Sequence, residues 1–309
     1  MPFEVTVLGS ASAIPTSTRN QSAQLVNLLG RFFLIDCGEG TQIQLRKNKI
    51  KIQKIDFICI SHLHGDHYLG LVGLLSTMSL LNRQKDLTVF GPKGLDKIIK
   101  LHCKLSHSTL SYKLKFIHLQ GSRLELIHDD DRCQLFSFGL KHGLPCWGFK
   151  LIEKKKQKKI LKSMIDKYAI PVSCINDIKS GANYVTQKGK LILNNILTVD
   201  SYLPRSYAYC SDTYYFKSLA NYIKDVDLLY YESTFHSTLS DMAKSTLHST
   251  SEDAGRMAFN AKVKKLIIGH FSSRYKDLDI LKEDAKKVFH NVELALEGKT
   301  FKIEKIYLI

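Results

Sequence analysis

The sequence predicts a mixed α/β fold in which layered sheets are covered by helices. Short apolar runs rich in β-branched residues alternate with helical patterns, and hairpin-like stretches lie between some of them. The contents of 44% hydrophobic and 24% charged residues exclude a disordered, collagen-like or coiled-coil protein. At 309 residues the chain is long enough to bury a sizeable core.

The predicted elements follow from local composition in chain order. The strand-like runs are residues 3–8, 31–35, 57–60, 87–90, 133–138, 148–152, 207–210, 228–231 and 265–268. The helical patterns cover residues 68–81, 93–105, 251–261 and 279–289. Ser249 and Glu252 have the spacing of a capping box, which predicts the start of the third of these helices.

A lysine-rich segment, residues 151–200, interrupts this pattern. It contains ten lysines, no arginine and four acidic residues, and its apolar positions are too sparse for a second core. We therefore expect one domain over residues 1–309 with 151–200 as an inserted arm. The net charge of +16 favours a polyanionic partner such as nucleic acid. The alternatives are a solvated lysine-rich loop and a generally lysine-rich proteome.

The cellular compartment is predicted from the absence of membrane-spanning, signal-peptide and disulfide patterns. No apolar run reaches the roughly 20 residues that a membrane span requires. The first residues lack the basic and apolar regions of a signal peptide. Seven cysteines without a CxxC pair are typical of reduced thiols. The sequence therefore predicts a cytoplasmic protein that does not contact a membrane.

The residues that indicate chemistry form the motif Ser61-His62-Leu63-His64-Gly65-Asp66-His67 after a predicted strand. Two histidines two residues apart in extended chain project to the same side and can share one metal ion, and Gly65 permits a bend that turns Asp66 and His67 toward a second. Without a cation, such a buried polar cluster would be costly. Further candidate ligands follow other apolar strands: His142, Asp212 and His270. Each of these alone is more typical of a satisfied polar residue at a strand end.

Together these motifs resemble the metallo-β-lactamase superfamily and, within it, the short form of ribonuclease Z, a tRNA 3′-end processing endonuclease. The resemblance runs nearly end to end and rests on the following segments: Phe33-Leu34-Ile35-Asp36-Cys37-Gly38-Glu39-Gly40-Thr41-Gln42, the His62–His67 motif, His142, Asp212-Thr213, Glu232-Ser233-Thr234-Phe235, His248-Ser249-Thr250 and His270-Phe271-Ser272-Ser273-Arg274-Tyr275. It implies an αββα sandwich of the metallo-β-lactamase type with an inserted basic arm.

The resemblance also implies two Zn²⁺ ions per subunit, with Mn²⁺ or another divalent metal as the alternative. One ion would be held by His62, His64, His142 and Asp212, and the other by Asp66, His67, His270 and the same Asp212.

Four further residues receive roles from the resemblance. Asp66, or Asp212 beside it, would accept the proton of the attacking water. His248 would contact the scissile phosphate or protonate the leaving oxygen, and Glu232 would orient His248. Asp36 would support the ligand loop. By itself, Asp36 is nearly as typical of a helix cap or turn, and His248 is more typical of an exposed histidine before a helix.

For partners, the resemblance implies precursor tRNA and a homodimer, with cleavage after the discriminator nucleotide that leaves a 3′-hydroxyl on the tRNA and a 5′-phosphate on the trailer. The residues expected to bind RNA are Lys154, Lys155, Lys156, Lys158, Lys159 and Lys162 in the arm, and Arg19 and Asn20 in a loop where Ser17 replaces the family's lysine. The alternatives are another hydrolase of this fold (a phosphodiesterase or a glyoxalase II-type thioesterase) and a non-catalytic RNA-binding protein.

Overall fold

The computed structural model describes residues 1–155, 157–200 and 202–307, and these residues form two compact units. The first unit consists of Met1–Ile152 and Ser206–Ile303, and the second of Glu153–Arg205 together with residues 304–307. Within the described ranges, every helix is too short or too polar to span a bilayer.

Strands and helices alternate along the chain. The strands are β1 Phe3–Gly9, β2 Ala23–Leu28, β3 Arg31–Ile35, β4 Phe57–Cys59, β5 Leu87–Gly91, β6 Leu114–His118, β7 Glu125–Asp129, β8 Cys133–Leu140, β9 Cys146–Glu153, β10 Lys159–Ile160, β11 Tyr184–Val185, β12 Leu191–Ile192, β13 Thr198–Val199, β14 Ser206–Cys210, β15 Leu228–Glu232, β16 Lys265–Gly269, β17 Val292–Leu294 and β18 Thr300–Lys302. The helices are α1 Thr41–Lys47, α2 Gly65–Tyr68, α3 Gly70–Leu80, α4 Leu95–Leu105, α5 Lys162–Tyr168, α6 Val172–Lys179, α7 Asn194–Leu197, α8 Leu219–Tyr222, α9 Ser240–Ser245, α10 Ser251–Asn260 and α11 Asp279–Lys286, with 3₁₀ turns at Ile52–Lys54 and Ser237–Leu239.

The first unit contains two seven-stranded sheets that pack face to face. Their orders are β18-β1-β2-β3-β4-β5-β6 and β17-β16-β15-β14-β9-β8-β7. Residues of both sheets, such as Phe33 and Tyr209, share the central core. The outer face of the first sheet packs against α1, α3 and α4, and that of the second packs against α8, α10 and α11. The predicted layering of helices on mixed sheets is confirmed.

The predicted strands of this unit appear within one or two residues of their expected limits, but β2, β6, β7, β17 and β18 were not predicted, and the predicted cap of α10 is wrong. The strand β2 was not expected; its residues are almost all buried, so it lacks the alternation that marks a half-exposed strand. The capping box of α10 is formed by Thr250 and Asp253, one residue later than predicted. The Ser249 hydroxyl instead donates to the Thr213 carbonyl at 2.6 Å, so tertiary packing decides the cap.

The second unit has a core of its own, contrary to the expectation that its apolar residues are too sparse. Two short antiparallel pairings, β10 with β13 and β11 with β12, accompany α5, α6 and α7. The core consists of Ile160, Ile170, Ile178, Tyr184, Ile192 and Leu197. The Asn194 side chain donates to the carbonyls of Ile178 and Ala182 at 2.6 and 2.8 Å and ties these elements together. The apolar residues are few, but the chain folds back so that they converge.

Candidate metal centre

The predicted ligands lie just beyond the carboxyl ends of strands in the first unit. His62 and His64 follow β4, and α2 carries Asp66 and His67. His142 follows β8, Asp212 follows β14 and His270 follows β16. Strand ends of both sheets therefore supply the side chains, which is why residues distant in sequence come together.

Three imidazoles and a carboxylate form the first group, His62, His64, His142 and Asp212. The Nδ1 atom of His64 lies 2.9 Å from Nε2 of His62 and 3.1 Å from Nε2 of His142. Asp212 Oδ2 lies 3.6 and 3.8 Å from the Nε2 atoms of His62 and His142. Four donors around a tetrahedral zinc ion stand about 3.3 Å apart, so this spacing matches a metal site.

The second group is Asp66, His67, Asp212 and His270. The Nε2 atom of His67 lies 3.2 Å from Asp66 Oδ2 and 3.4 Å from Asp212 Oδ1. The Nε2 atom of His270 lies 3.5 and 3.3 Å from the same two oxygens. Asp212 therefore presents one carboxylate oxygen to each group.

The second group suits a cation in a further respect. The Nε2 atoms of His67 and His270 are buried, and among the described residues neither has a hydrogen-bond partner. A buried nitrogen without a partner is costly unless another species, such as a metal ion, binds it. The residues thus fit the pair of divalent ions that the resemblance implies, and their role as ligands stays a prediction.

Outer residues fix the orientation of several imidazoles. Asp36 Oδ2 accepts hydrogen bonds from Tyr209 Oη at 2.7 Å and from His67 Nδ1 at 2.8 Å. Its Oδ1 accepts the Ser61 amide at 2.8 Å, and Asp36 is fully buried. The cap of α1 is Gly40, so Asp36 does not cap that helix. Asp36 has the contacts that support of the ligand loop requires.

Charge is concentrated in the second group. Burial lowers the pKa of His67, but Asp212, Asp36 and Asp66 outweigh burial and raise it well above its ordinary value. Burial raises the pKa of Asp66, but the neighbouring His67 and His270 hold it below its ordinary value. In the first group, burial and the neighbouring imidazoles lower the pKa of His62, which keeps it neutral as a metal ligand must be. The carboxylates thus create a negative site that favours cations.

His248, which is paired with Glu232 beside these groups, faces a cavity of about 600 Å³. His248 Nδ1 lies 2.9 Å from Glu232 Oε1, and Glu232 is fully buried. Burial lowers the pKa of His248, but the charge and hydrogen bond of Glu232 outweigh burial and raise it to about 9. His248 lines the cavity with His64, Asp66 and His270 and is half-buried, so it is not an exposed histidine, and its role in catalysis stays a prediction.

Among the residues that the structure describes, two further side-chain clusters could geometrically hold a metal ion, and both have another explanation. Glu232 and His248 contact each other directly, and the Thr234 hydroxyl contacts both Glu232 and His270, so hydrogen bonds account for the cluster of Glu232, His248 and His270. In the cluster of His128, Asp130 and Cys133, the guanidinium of Arg31 already donates to Asp130 at 2.7 Å. That guanidinium supplies the positive charge that Asp130 needs, so we assign this cluster to the fold.

The predicted RNA-binding residues lie in different surroundings. The Arg19 guanidinium donates to the carbonyls of Tyr275 and Ser272 at 2.8 and 3.4 Å, and the Asn20 amide donates to Glu297 at 2.8 Å. Both side chains are engaged inside the protein, and their role in RNA binding stays a prediction.

In the second unit, Lys155, Lys159 and Lys162 are exposed, and Lys154 and Lys158 are half-buried. Lys156 lies outside the described residues. Lys155, Lys158 and Lys179 line a cleft of about 490 Å³, and Lys179 was not among the predicted residues.

Three residues that contact the site were not predicted from the sequence, because their roles depend on tertiary contacts. Cys146 Sγ lies 3.7 Å from His62 Nδ1, the Tyr209 hydroxyl donates to Asp36, and Thr234 contacts both Glu232 and His270. Of these three residues, only Thr234 lies in a segment that carries the family resemblance, two positions after Glu232. That position is the one sequence feature that could have indicated its role.

The chain is similar to known proteins over nearly its whole length. It is 43% identical over 296 residues to ribonuclease Z of Bacteroides thetaiotaomicron, covering 96% of this chain and 94% of that protein. It is 42% identical over 302 residues to ribonuclease Z of Cytophaga hutchinsonii, covering 97% and 96%. The crystal structure of human tRNase Z, short form, superposes with a TM-score of 0.72 at 27% identity, over 97% of this chain and 99% of that chain.

Two further similarities are less informative about function. The metallo-β-lactamase fold protein YhfI of Bacillus subtilis superposes with a TM-score of 0.70 at 20% identity, over 98% of this chain and 100% of that chain, which shows the fold. A family model described as anti-Pycsar protein Apyc1 matches residues 3–122. That match ends before His142, Asp212 and His270, so it includes only part of the site.

Proposed function

Because the chain belongs to the ribonuclease Z family and is therefore an endoribonuclease, we propose that it removes the 3′ trailer from precursor tRNA with two zinc ions bound per subunit. Cleavage after the discriminator nucleotide would leave a 3′-hydroxyl on the tRNA and a 5′-phosphate on the trailer. Mn²⁺ or another divalent metal is the alternative to zinc.

The observation that carries this proposal is the Asp212 carboxylate. Its Oδ2 lies 3.6 Å from His62 Nε2 in the first group, and its Oδ1 lies 3.3 Å from His270 Nε2 in the second. A carboxylate with one oxygen in each of two donor sets is the arrangement that two-metal hydrolases use. When bound, a pair of divalent cations would lower the pKa of a water molecule toward neutrality and stabilise the negative charge that develops at phosphorus.

The side chains beside the metal groups would move the protons of the reaction. Asp66 is an ionised carboxylate at the cavity and would accept the proton of the attacking water. His248 uses Nδ1 to contact Glu232, which leaves Nε2 for the substrate. With a pKa of about 9 it carries a proton at neutral pH and can give it to the leaving 3′-oxygen of the tRNA. Glu232 also accepts the Thr213 amide at 2.7 Å, so it holds the imidazole in one orientation.

Recognition of the tRNA is assigned to the lysine-rich second unit. The cleft lined by Lys155, Lys158 and Lys179 offers ammonium groups to phosphates. Lysine contacts to phosphates do not read the sequence of an RNA, so they suit recognition of the shape of a tRNA. We further propose a homodimer in which this unit of one subunit binds the tRNA that the other subunit cuts.

The test is cleavage of a precursor tRNA that carries a 3′ trailer, with both product ends mapped. We expect one cut after the discriminator nucleotide, a 3′-hydroxyl on the tRNA, loss of activity on chelation and its recovery with Zn²⁺. A generic thioester and a small phosphodiester are the comparison substrates. Faster turnover of the thioester than of the precursor tRNA would overturn the proposal in favour of another hydrolase of this fold.

A further inference from the structure

The hydroxyl group of Thr234 lies where the second metal group meets the Glu232–His248 pair. Thr234 follows β15 and is buried. Its Oγ1 atom lies 2.6 Å from Glu232 Oε2 and 2.8 Å from His270 Nδ1. A longer distance of 3.5 Å separates it from His248 Nδ1. One hydroxyl group therefore contacts both a predicted metal ligand and the residue that orients the predicted acid.

The direction of these hydrogen bonds follows from counting protons. A hydroxyl group has one proton to donate, and a carboxylate only accepts. The Thr234 proton therefore goes to Glu232, and the hydroxyl lone pair is left to accept the Nδ1–H of His270. A neutral imidazole with its proton on Nδ1 has its lone pair on Nε2. That Nε2 atom lies 3.3 Å from Asp212 Oδ1 and 3.5 Å from Asp66 Oδ2 and has no other partner among the described residues.

We propose that Thr234 is a positioning residue that holds His270 in the tautomer a metal ligand requires and couples it to Glu232. The inference rests on the two metal sites of the proposed function. With this assignment, both imidazoles of the second group are connected to a carboxylate. His67 contacts the Asp36 carboxylate directly, and His270 contacts the Glu232 carboxylate through the Thr234 hydroxyl. Carboxylates behind metal-binding imidazoles raise their basicity and metal affinity.

The imidazoles of the first group are oriented by residues other than Thr234, and one of them has a similar arrangement, since the Ser61 hydroxyl that contacts His62 donates to the Asp36 carboxylate at 2.9 Å. His142 Nδ1 lies 3.1 Å from the carbonyl oxygen of Leu247, and His62 Nδ1 lies 3.0 Å from the Ser61 hydroxyl. Removal of the Thr234 hydroxyl should therefore weaken one metal site and leave the other as it is. A residue that merely supports the fold would instead affect both sites or neither.

The experiment is a chelator competition that measures zinc stoichiometry and affinity in the full-length protein. We compare Thr234→Val, which removes the hydroxyl at nearly constant volume, with Thr234→Ser, which retains it. Thr246→Val is the matched control, since Thr246 lines the same cavity but its hydroxyl donates to the Met242 carbonyl at 2.8 Å. For Thr234→Val we expect the affinity for one of two zinc equivalents to fall by about 10- to 100-fold. Thr234→Ser and Thr246→Val should bind both equivalents as the unmodified protein does.

The outcomes separate this inference from the proposed function. Unchanged binding of both equivalents by Thr234→Val overturns the positioning role alone, and so does a Thr234→Ser variant whose affinity falls equally. Failure of the unmodified protein to bind two equivalents overturns the two-ion proposal instead. If Thr234→Val does not fold, as judged by its thermal melting, Thr234→Ala provides the same comparison with Thr234→Ser.

Discussion

The predicted metal centre and the lysine-rich second unit differ in how tightly their charged side chains are held. At the metal centre, His67 is bound to Asp36 and His248 to Glu232, and all four side chains are buried or nearly so. In the second unit, the exposed Lys155 ammonium lies 3.6 Å from the Asp200 carboxylate, which is longer than a hydrogen bond. Catalysis requires fixed positions, whereas phosphate binding mainly requires charge. Substitutions in the two regions should therefore affect different kinetic constants.

The largest effect is expected from His64→Ala, which removes one donor of the first group. His64 is only half-buried, so its loss should not unfold the protein. We expect kcat/KM for precursor tRNA to fall by about 10³-fold or more, because metal-ion catalysis contributes several kcal/mol and each 1.4 kcal/mol is about tenfold in rate. Zinc content, measured by elemental analysis, should fall as well.

The matched control for this change is His102→Ala, which removes an exposed imidazole from α4. It should leave both rate and zinc content unaltered. Full activity in a His64→Ala protein that has lost zinc would contradict a two-metal mechanism.

His248→Ala should separate proton transfer from metal binding within the same region. We expect kcat to fall by about 10²-fold, the contribution typical of a positioned general acid, with two zinc ions retained. The measurements are steady-state kinetics on precursor tRNA and elemental analysis of the same sample. His236→Ala is the control, since its imidazole lies 3.5 Å from Asp284 and does not line the cavity. Loss of zinc from His248→Ala would reassign His248 as a ligand.

The metal centre and the second unit also differ in how much of each could be predicted from the sequence. The motif from His62 to His67 is local, so extended geometry and one glycine were enough to indicate two metal groups. His142, Asp212 and His270 were found because polar residues that follow buried strands collect at a sheet edge. The layered fold followed from the alternation of strand-like and helical runs.

What the sequence could not predict depends on contacts between distant residues. The Thr234 hydroxyl matters because β15 and β16 are neighbours, which brings Glu232 and His270 within reach of it. The cap of α10 shifts from Ser249 to Thr250 because Thr213 takes the Ser249 hydroxyl. The core of the second unit was missed because Ile160 and Leu197 lie far apart in sequence and meet only when β10 pairs with β13.

The smallest effect is expected from charge reversal in the second unit, with Lys155, Lys159 and Lys162 all changed to Glu. These ammonium groups are exposed, so the fold should survive. We expect KM for precursor tRNA to rise by about tenfold, and the salt dependence of binding to weaken by about one unit of slope for each phosphate that the variant no longer neutralises. Hydrolysis of a small phosphodiester should be unchanged. The control variant changes Lys97, Lys100 and Lys104 on α4 to Glu, which alters net charge equally.

Mixing two variants sharpens this last prediction, because it asks whether the second unit acts on its own subunit or on the partner. In a homodimer of the proposed kind, the lysine variant has intact metal centres and His64→Ala has an intact second unit. A mixed dimer then contains one site where a working centre faces a working second unit, so activity should recover to a fraction of that of the unmodified enzyme. Recovery requires subunit exchange, which light scattering and native mass spectrometry can follow. Mixed dimers that form without regaining activity would show that each second unit serves its own subunit.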